Sequence, residues 1–130
     1  MPNAKCVLVV DDDTAIRMLV ADALDAEGYD VVTASNGADA LMKLASLQPD
    51  AIVLDLMMPV MTGWEFLDAC GDELVAAGIP VAVVSAAYAP GAIASRPAVS
   101  AVLSKPFDLD VLEAIVQRLT SRRGPAGEPS

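Results

Sequence analysis

Residues 7–13 read Val7-Leu8-Val9-Val10-Asp11-Asp12-Asp13, four apolar residues running directly into three carboxylates. A short run rich in β-branched residues, with no polar alternation, has the pattern of a strand buried on both faces of a parallel sheet. Three further runs repeat the design: Ala51 to Leu54 leads into Asp55, Val81 to Val84 into Ser85, and Ala101 to Ser104 into Lys105-Pro106-Phe107. In an open parallel sheet the C-terminal strand ends share one edge, and ligands bind there at the topological switch point. Four such strands would deliver carboxylates, a hydroxyl and an ammonium to one small pocket. That inventory suits a divalent cation and a phosphoryl group.

The segments between the runs have helical spacing, so strand and helix alternate as a parallel α/β sheet requires. Ile16, Leu19, Val20, Ala23 and Leu24 form one stripe, and Gly28 supplies its stop. Val31-Val32 is a short second strand followed by the turn Ser35-Asn36-Gly37, and Ala40, Leu41, Leu44 and Ala45 line a second helix ending before Pro49. Met57-Met58-Pro59 opens a loop that Gly63 closes, before a third helix with Trp64, Phe66, Leu67 and Cys70. Pro90, Gly91 and Pro97 break the pattern between Tyr88 and Ser100, predicting a short or irregular fourth helix. Asp108 is placed to N-cap the last helix, whose stripe is Leu109, Leu112, Ile115, Val116 and Leu119, with Arg118, Arg122 and Arg123 near its end. These elements make one domain over residues 1–123, and the polar, Pro/Gly-containing residues 124–130 read as a disordered tail.

At 130 residues the chain can bury a single core, and with one Trp, two Tyr and two Phe that core must be aliphatic. A net charge of −10 argues against direct contact with nucleic acid. Cys6 and Cys70 have neither metal nor redox spacing and read as reduced, buried thiols. The first apolar run is too short for a signal peptide and is followed at once by acids. Leu74 to Ser95 carries no charge, but Gly78, Pro80, Pro90 and Gly91 interrupt it, so no membrane insertion is expected and the location is cytoplasmic.

Asp12 and Asp55, with a main-chain carbonyl and water, would offer the hard oxygen ligands that Mg²⁺ prefers. Carboxylates gathered without a cation repel one another, and the metal relieves that repulsion. Asp55, at the end of the central strand between Leu54 and Leu56, is the natural nucleophile. Lys105 can pair with developing negative charge, and Ser85 can donate to a phosphoryl oxygen. Taken singly, an acidic triplet is a helix-terminus charge cluster, a serine ends a strand as a turn former, and a lysine before proline is a solvated loop residue. What argues against coincidence is their order, each at a strand end.

With these residues in view, the chain resembles the receiver domains of two-component response regulators, over Lys5 to about Leu119. The motifs are Val7 to Asp13, Asp55 to Gly63 (DLMMPVMTG), Val83 to Ala86 (VVSA) and Ser104 to Phe107 (SKPF). The resemblance implies a flavodoxin-like doubly wound five-stranded parallel sheet of order 2-1-3-4-5. It implies Asp55 as phosphoacceptor, with Asp12, Asp55 and the Met57 main-chain carbonyl as Mg²⁺ ligands, Asp11 acting more often through water, and Ser85 and Lys105 as switch hydroxyl and lysine. The phosphodonor would be a histidine kinase or phosphotransfer protein, since the chain has no histidine, and the output a downstream protein the sequence does not name. The chain would act as a signalling domain, not an enzyme. Val102 stands where the family often has an aromatic residue, which leaves Tyr88 as the substitute reporter and Tyr88 to Ser100, with Val102 and the last helix, as the output face. Met57 and Ala87, two residues after Asp55 and Ser85, cannot hydrogen-bond an attacking water, so slow self-dephosphorylation is expected.

Two other readings compete. A haloacid-dehalogenase-like phosphatase would use Asp11 as nucleophile and Asp13 as second acid, but leaves Asp55 unexplained. A degenerate receiver would serve only as a binding module, against which the complete acid, hydroxyl and lysine set weighs.

Overall fold

The computed structural model describes residues 4–86 and 90–122. Ala87, Tyr88 and the 124–130 tail, on which part of the reading above falls, lie outside the described residues. Among the described residues five strands and five helices alternate: β1 Cys6–Val10, α1 Thr14–Ala26, β2 Asp30–Ala34, α2 Gly37–Leu44, β3 Ala51–Asp55, α3 Gly63–Ala77, β4 Val81–Ser85, α4 Pro90–Ala94, β5 Val99–Ser104 and α5 Leu109–Arg122. All strand pairs are parallel and the order is β2-β1-β3-β4-β5. This is the flavodoxin-like topology expected, with the switch point between β1 and β3.

The central strands β3 and β4 are buried at every residue, as expected of strands covered on both faces. Alternate residues feed two cores. Leu8, Val10, Ile52, Leu54, Val81 and Val83 pack with Phe66, Leu67 and Ile93 of α3 and α4. Val7, Val9, Val53 and Val84 pack on the other face with Val20 and Leu24 of α1 and Leu112 and Val116 of α5. Most of the apolar stripe residues read along the sequence face these cores, but Leu19 of α1, 52% exposed, and Ala45, just past the end of α2, turn to solvent.

Helix ends follow local chemistry. Asp13 caps α1, its side chain accepting from Ile16 N–H, and Asn36 caps α2 by accepting from Asp39 N–H. Thr62 and Glu65 form a capping box on α3, which ends at Gly78 in the left-handed region. The Asp108 side chain accepts from Asp110 N–H at the start of α5. The helix α4 is five residues long, the short element that the proline-broken sequence predicts. Both edge strands run longer than the sequence reading. β2 takes in Asp30 and Thr33 to Ala34, and β5 starts at Val99, where a register irregularity beside Val81 and Ala82 absorbs the extra residue. Edge strands tolerate such polar and irregular positions because one side faces no neighbour.

Candidate functional site

Asp11 follows β1 and completes the β1–β2 ladder by donating its N–H to the Ala34 carbonyl at 3.2 Å. Both its carboxylate oxygens are engaged: Oδ1 accepts from Asp13 N–H at 2.9 Å and Oδ2 from Lys105 Nζ at 3.0 Å. Asp13 is occupied as the α1 cap, 3.1 Å from Ile16 N. Asp55 is the last residue of β3, adjacent to β1 in the sheet, and is 3% exposed. It is far less satisfied than Asp11. Its Oδ1 accepts a long bond from Met57 N–H at 3.4 Å, and its Oδ2 lies 3.6 Å from Lys105 Nζ. Asp12 is exposed, and its carboxylate has no hydrogen-bond partner among the described residues. One carboxylate oxygen each from Asp11, Asp12 and Asp55 lie within 4.8 Å of one another.

The strand order brings this about. Val10 pairs with Leu54 across β1 and β3, so the two strands end level and their following carboxylates converge. Lys105 arrives from β5, two strands beyond β3, its N–H donating to the Ser85 carbonyl at 3.0 Å and its peptide to Pro106 cis. Ser85 itself ends β4 and is buried. The loop after Asp55 must fold back sharply to reach α3. Gly63 N–H donates to the Leu56 carbonyl at 2.9 Å, and a Cβ at Gly63 would lie 2.6 Å from the Asp55 carbonyl oxygen. Only glycine fits there. Met57 is exposed, and Val60, at φ 69° with 81% of its surface exposed, holds a conformation that β-branched residues rarely adopt.

Burial, then the Asp11 charge, pushes the Asp55 carboxyl from 3.8 up to about 6, against the opposing pull of Lys105 and Met57 N–H. For Lys105, burial lowers the pKa, but the hydrogen bond and charge of Asp11 and the charge of Asp55 outweigh it and hold the ammonium above the ordinary lysine value. Asp11 and Asp55 thus share one ammonium, and Asp55, the less satisfied of the two, resists ionising. A hard divalent cation would remove that penalty, and the all-oxygen donor set fits Mg²⁺.

All the acidic, hydroxyl and lysine residues singled out in the sequence sit at the carboxyl edge of the sheet. One residue escaped the sequence reading. Arg17 of α1 reaches back so that Nη1 donates to the Asp11 carbonyl at 2.8 Å and Nη2 to Thr14 Oγ1 at 3.4 Å. The available signal was a cation near the N-terminus of a helix, the end whose dipole disfavours it.

Residues 7–117 match the family model described as the response regulator receiver domain. Response regulator MprA from Mycolicibacterium vanbaalenii is 38% identical over 133 residues, covering 94% of this chain and 54% of that protein. MprA from Mycobacterium avium is 38% identical over 127 residues, covering 92% and 52%. The chain therefore spans about half the length of the curated relatives it matches. Among solved structures, Vibrio cholerae chemotaxis protein CheY4 superposes with a TM-score of 0.81 at 33% identity, over 90% of this chain and 99% of that one. Thermotoga maritima response regulator TrrA, solved in complex with Mg²⁺ and BeF, superposes with a TM-score of 0.78 at 32% identity, over 88% and 98%. The chain belongs to the receiver-domain family of two-component response regulators. Its fold is the phosphoacceptor fold of that family, and among its described residues no helix is long and apolar enough to cross a membrane.

Proposed function

We propose that Asp55 accepts a phosphoryl group from a histidine kinase or phosphotransfer protein, and that this switches a surface recognised by a downstream protein. The observation that carries the assignment is the contrast between the clustered carboxylates. Asp11 has both oxygens committed and Asp13 caps a helix, whereas Asp55 is buried, underbonded and pushed up to about 6. The same contrast disfavours the phosphatase reading, which needs Asp11 free as nucleophile and Asp13 free as acid.

In this reading an Asp55 oxygen attacks the donor phosphorus in line. The P–N bond to the donor histidine breaks, its electron pair returns to the imidazole nitrogen, and an acyl phosphate forms on Asp55. Lys105 Nζ, 3.6 Å from Asp55 Oδ2, supplies a fixed positive charge to the incoming phosphoryl oxygens. Ser85 donates its hydroxyl to one of them. Asp12, Asp55 and the Met57 carbonyl would hold Mg²⁺, with Asp11 assisting through water; when bound, the ion neutralises charge on the phosphoryl group. The chain acts as a signalling domain without turnover of a substrate of its own, in the cytoplasm, through protein partners and not nucleic acid. The domain comprises residues 1–123, followed by a tail.

Beryllofluoride, a phosphoryl mimic, tests this by amide NMR. Shifts at Asp55, Ser85 and Lys105 that require Mg²⁺ and vanish in Asp55→Asn are expected. Binding that persists in Asp55→Asn, or none in the unsubstituted protein, contradicts the reading.

A further inference from the structure

We infer that Arg17 is a positioning residue that presets Asp12 for the divalent cation, an inference that rests on the function proposed above. Asp12 is the exposed member of the carboxylate triad, and no hydrogen bond among the described residues holds its side chain. Its place within 4.8 Å of the Asp11 and Asp55 oxygens therefore depends on how its backbone is held. The peptide that carries it is the Asp11–Asp12 peptide, and the carbonyl of that peptide accepts from Arg17 Nη1 at 2.8 Å. This is a charge-assisted bond, and the planar guanidinium is fixed further by Thr14 Oγ1. The other side of the same turn is pinned by Asp13 N–H on Asp11 Oδ1 at 2.9 Å. Arg17 also lines, with Asp11, Asp55 and Phe107, a small cavity bordered by two of the three carboxylate residues. A cation in this place is costly on two counts, being near the positive end of α1 and close to where a divalent cation would bind.

That cost gives the test its sign. By charge alone, removing Arg17 should tighten binding of a divalent cation; by positioning, it should weaken it. Magnesium binding to the full chain is measured by isothermal titration calorimetry for the unsubstituted protein, Arg17→Met and Arg17→Lys, with circular dichroism to verify folding. Groups that hold metal ligands in place typically contribute tenfold or more to affinity. We expect Arg17→Met to weaken Mg²⁺ binding about tenfold. Arg17→Lys, which keeps the charge and one donor, should recover part of that loss. In phosphorylation by acetyl phosphate, the Arg17→Met defect should shrink at saturating Mg²⁺. Equal or tighter Mg²⁺ binding by folded Arg17→Met overturns the inference while leaving the Asp55 reading intact. Should Arg17→Met unfold, weak binding by a folded Arg17→Lys supports the inference and unchanged binding overturns it. No Mg²⁺ binding by the unsubstituted protein overturns both.

Discussion

Asp55 combines two properties that rarely coexist: near-complete burial and unmet hydrogen-bonding capacity. The consequence for stability has an unusual sign. A carboxyl raised from 3.8 to about 6 binds more protons in the folded than in the unfolded chain between those values. Stability in the absence of metal should therefore fall as pH rises through that window, by up to about 3 kcal/mol. Asp55→Asn should remove the decline and be the more stable protein near pH 7. Urea unfolding in a chelator, at about pH 4.5 and about pH 7, checks this; a wild-type stability that rises over the window contradicts it. Met57, 58% exposed beside Asp55, offers no hydrogen bond to an attacking water. Met57→Asn combined with Ala87→Glu should shorten the lifetime of the acyl phosphate, measured by loss of the adduct after the donor is removed. An unchanged or slower decay would defeat the water-exclusion idea. At this scale the site was legible where charges end apolar strands, since Asp55 between two leucines has no structural purpose. Arg17 was not legible, because its role depends on a side chain folding back along its own helix onto a carbonyl.

Among elements, the β3–α3 connection is the most constrained. Gly63→Ala would place a methyl group 2.6 Å from the Asp55 carbonyl and 2.8 Å from Leu56 Cα. Backbone cannot yield as a flexible side chain can, so we expect a loss of about 1–3 kcal/mol and a displaced Asp55. A thermal melt and the rate of phosphorylation report these separately, and a fully stable, fully active Gly63→Ala would contradict the close approach. The α4–β5 region is held differently. Arg96 Nη1 meets Asp68 Oδ1 at 2.7 Å and its guanidinium lies 5.2 Å from the Trp64 ring centre, tying the end of the short α4 to α3. Both contacts are partly exposed, and each contributes no more than about 1 kcal/mol. Such an element is free to reorder, so hydrogen exchange on adding beryllofluoride should change within residues 90–100 and at Val102. Changes confined to the loops at Asp55 and Lys105 would count against this output surface. The shortness of α4 was readable from Pro90, Gly91 and Pro97. The extra length of β2 and β5 was not, because Asp30 pairs through its backbone and Ser100 is the extra residue at the β5 register irregularity, and neither leaves a hydrophobic pattern.

For the molecule as a whole, the sheet order does the assembling. β1 lies between β2 and β3, so Asp11 and Asp55 meet although 44 residues apart in sequence, and β4 and β5 bring Ser85 and Lys105 to the same edge. Alternation of buried strands and amphipathic helices makes that order readable, since right-handed crossovers leave few arrangements. Sequence periodicity carries no distances, and the unequal bonding of Asp11 and Asp55 is visible only in three dimensions. The chain spans about half the length of the MprA relatives, the share that holds the receiver fold. The central claim is that Asp55 and no other residue carries the phosphoryl group. Intact-protein mass spectrometry after incubation with acetyl phosphate and Mg²⁺ tests this directly. The account requires a single acid-labile phosphoryl adduct that chelation prevents and Asp55→Asn abolishes. A full adduct on Asp55→Asn, or one mapped to Asp11, would contradict it.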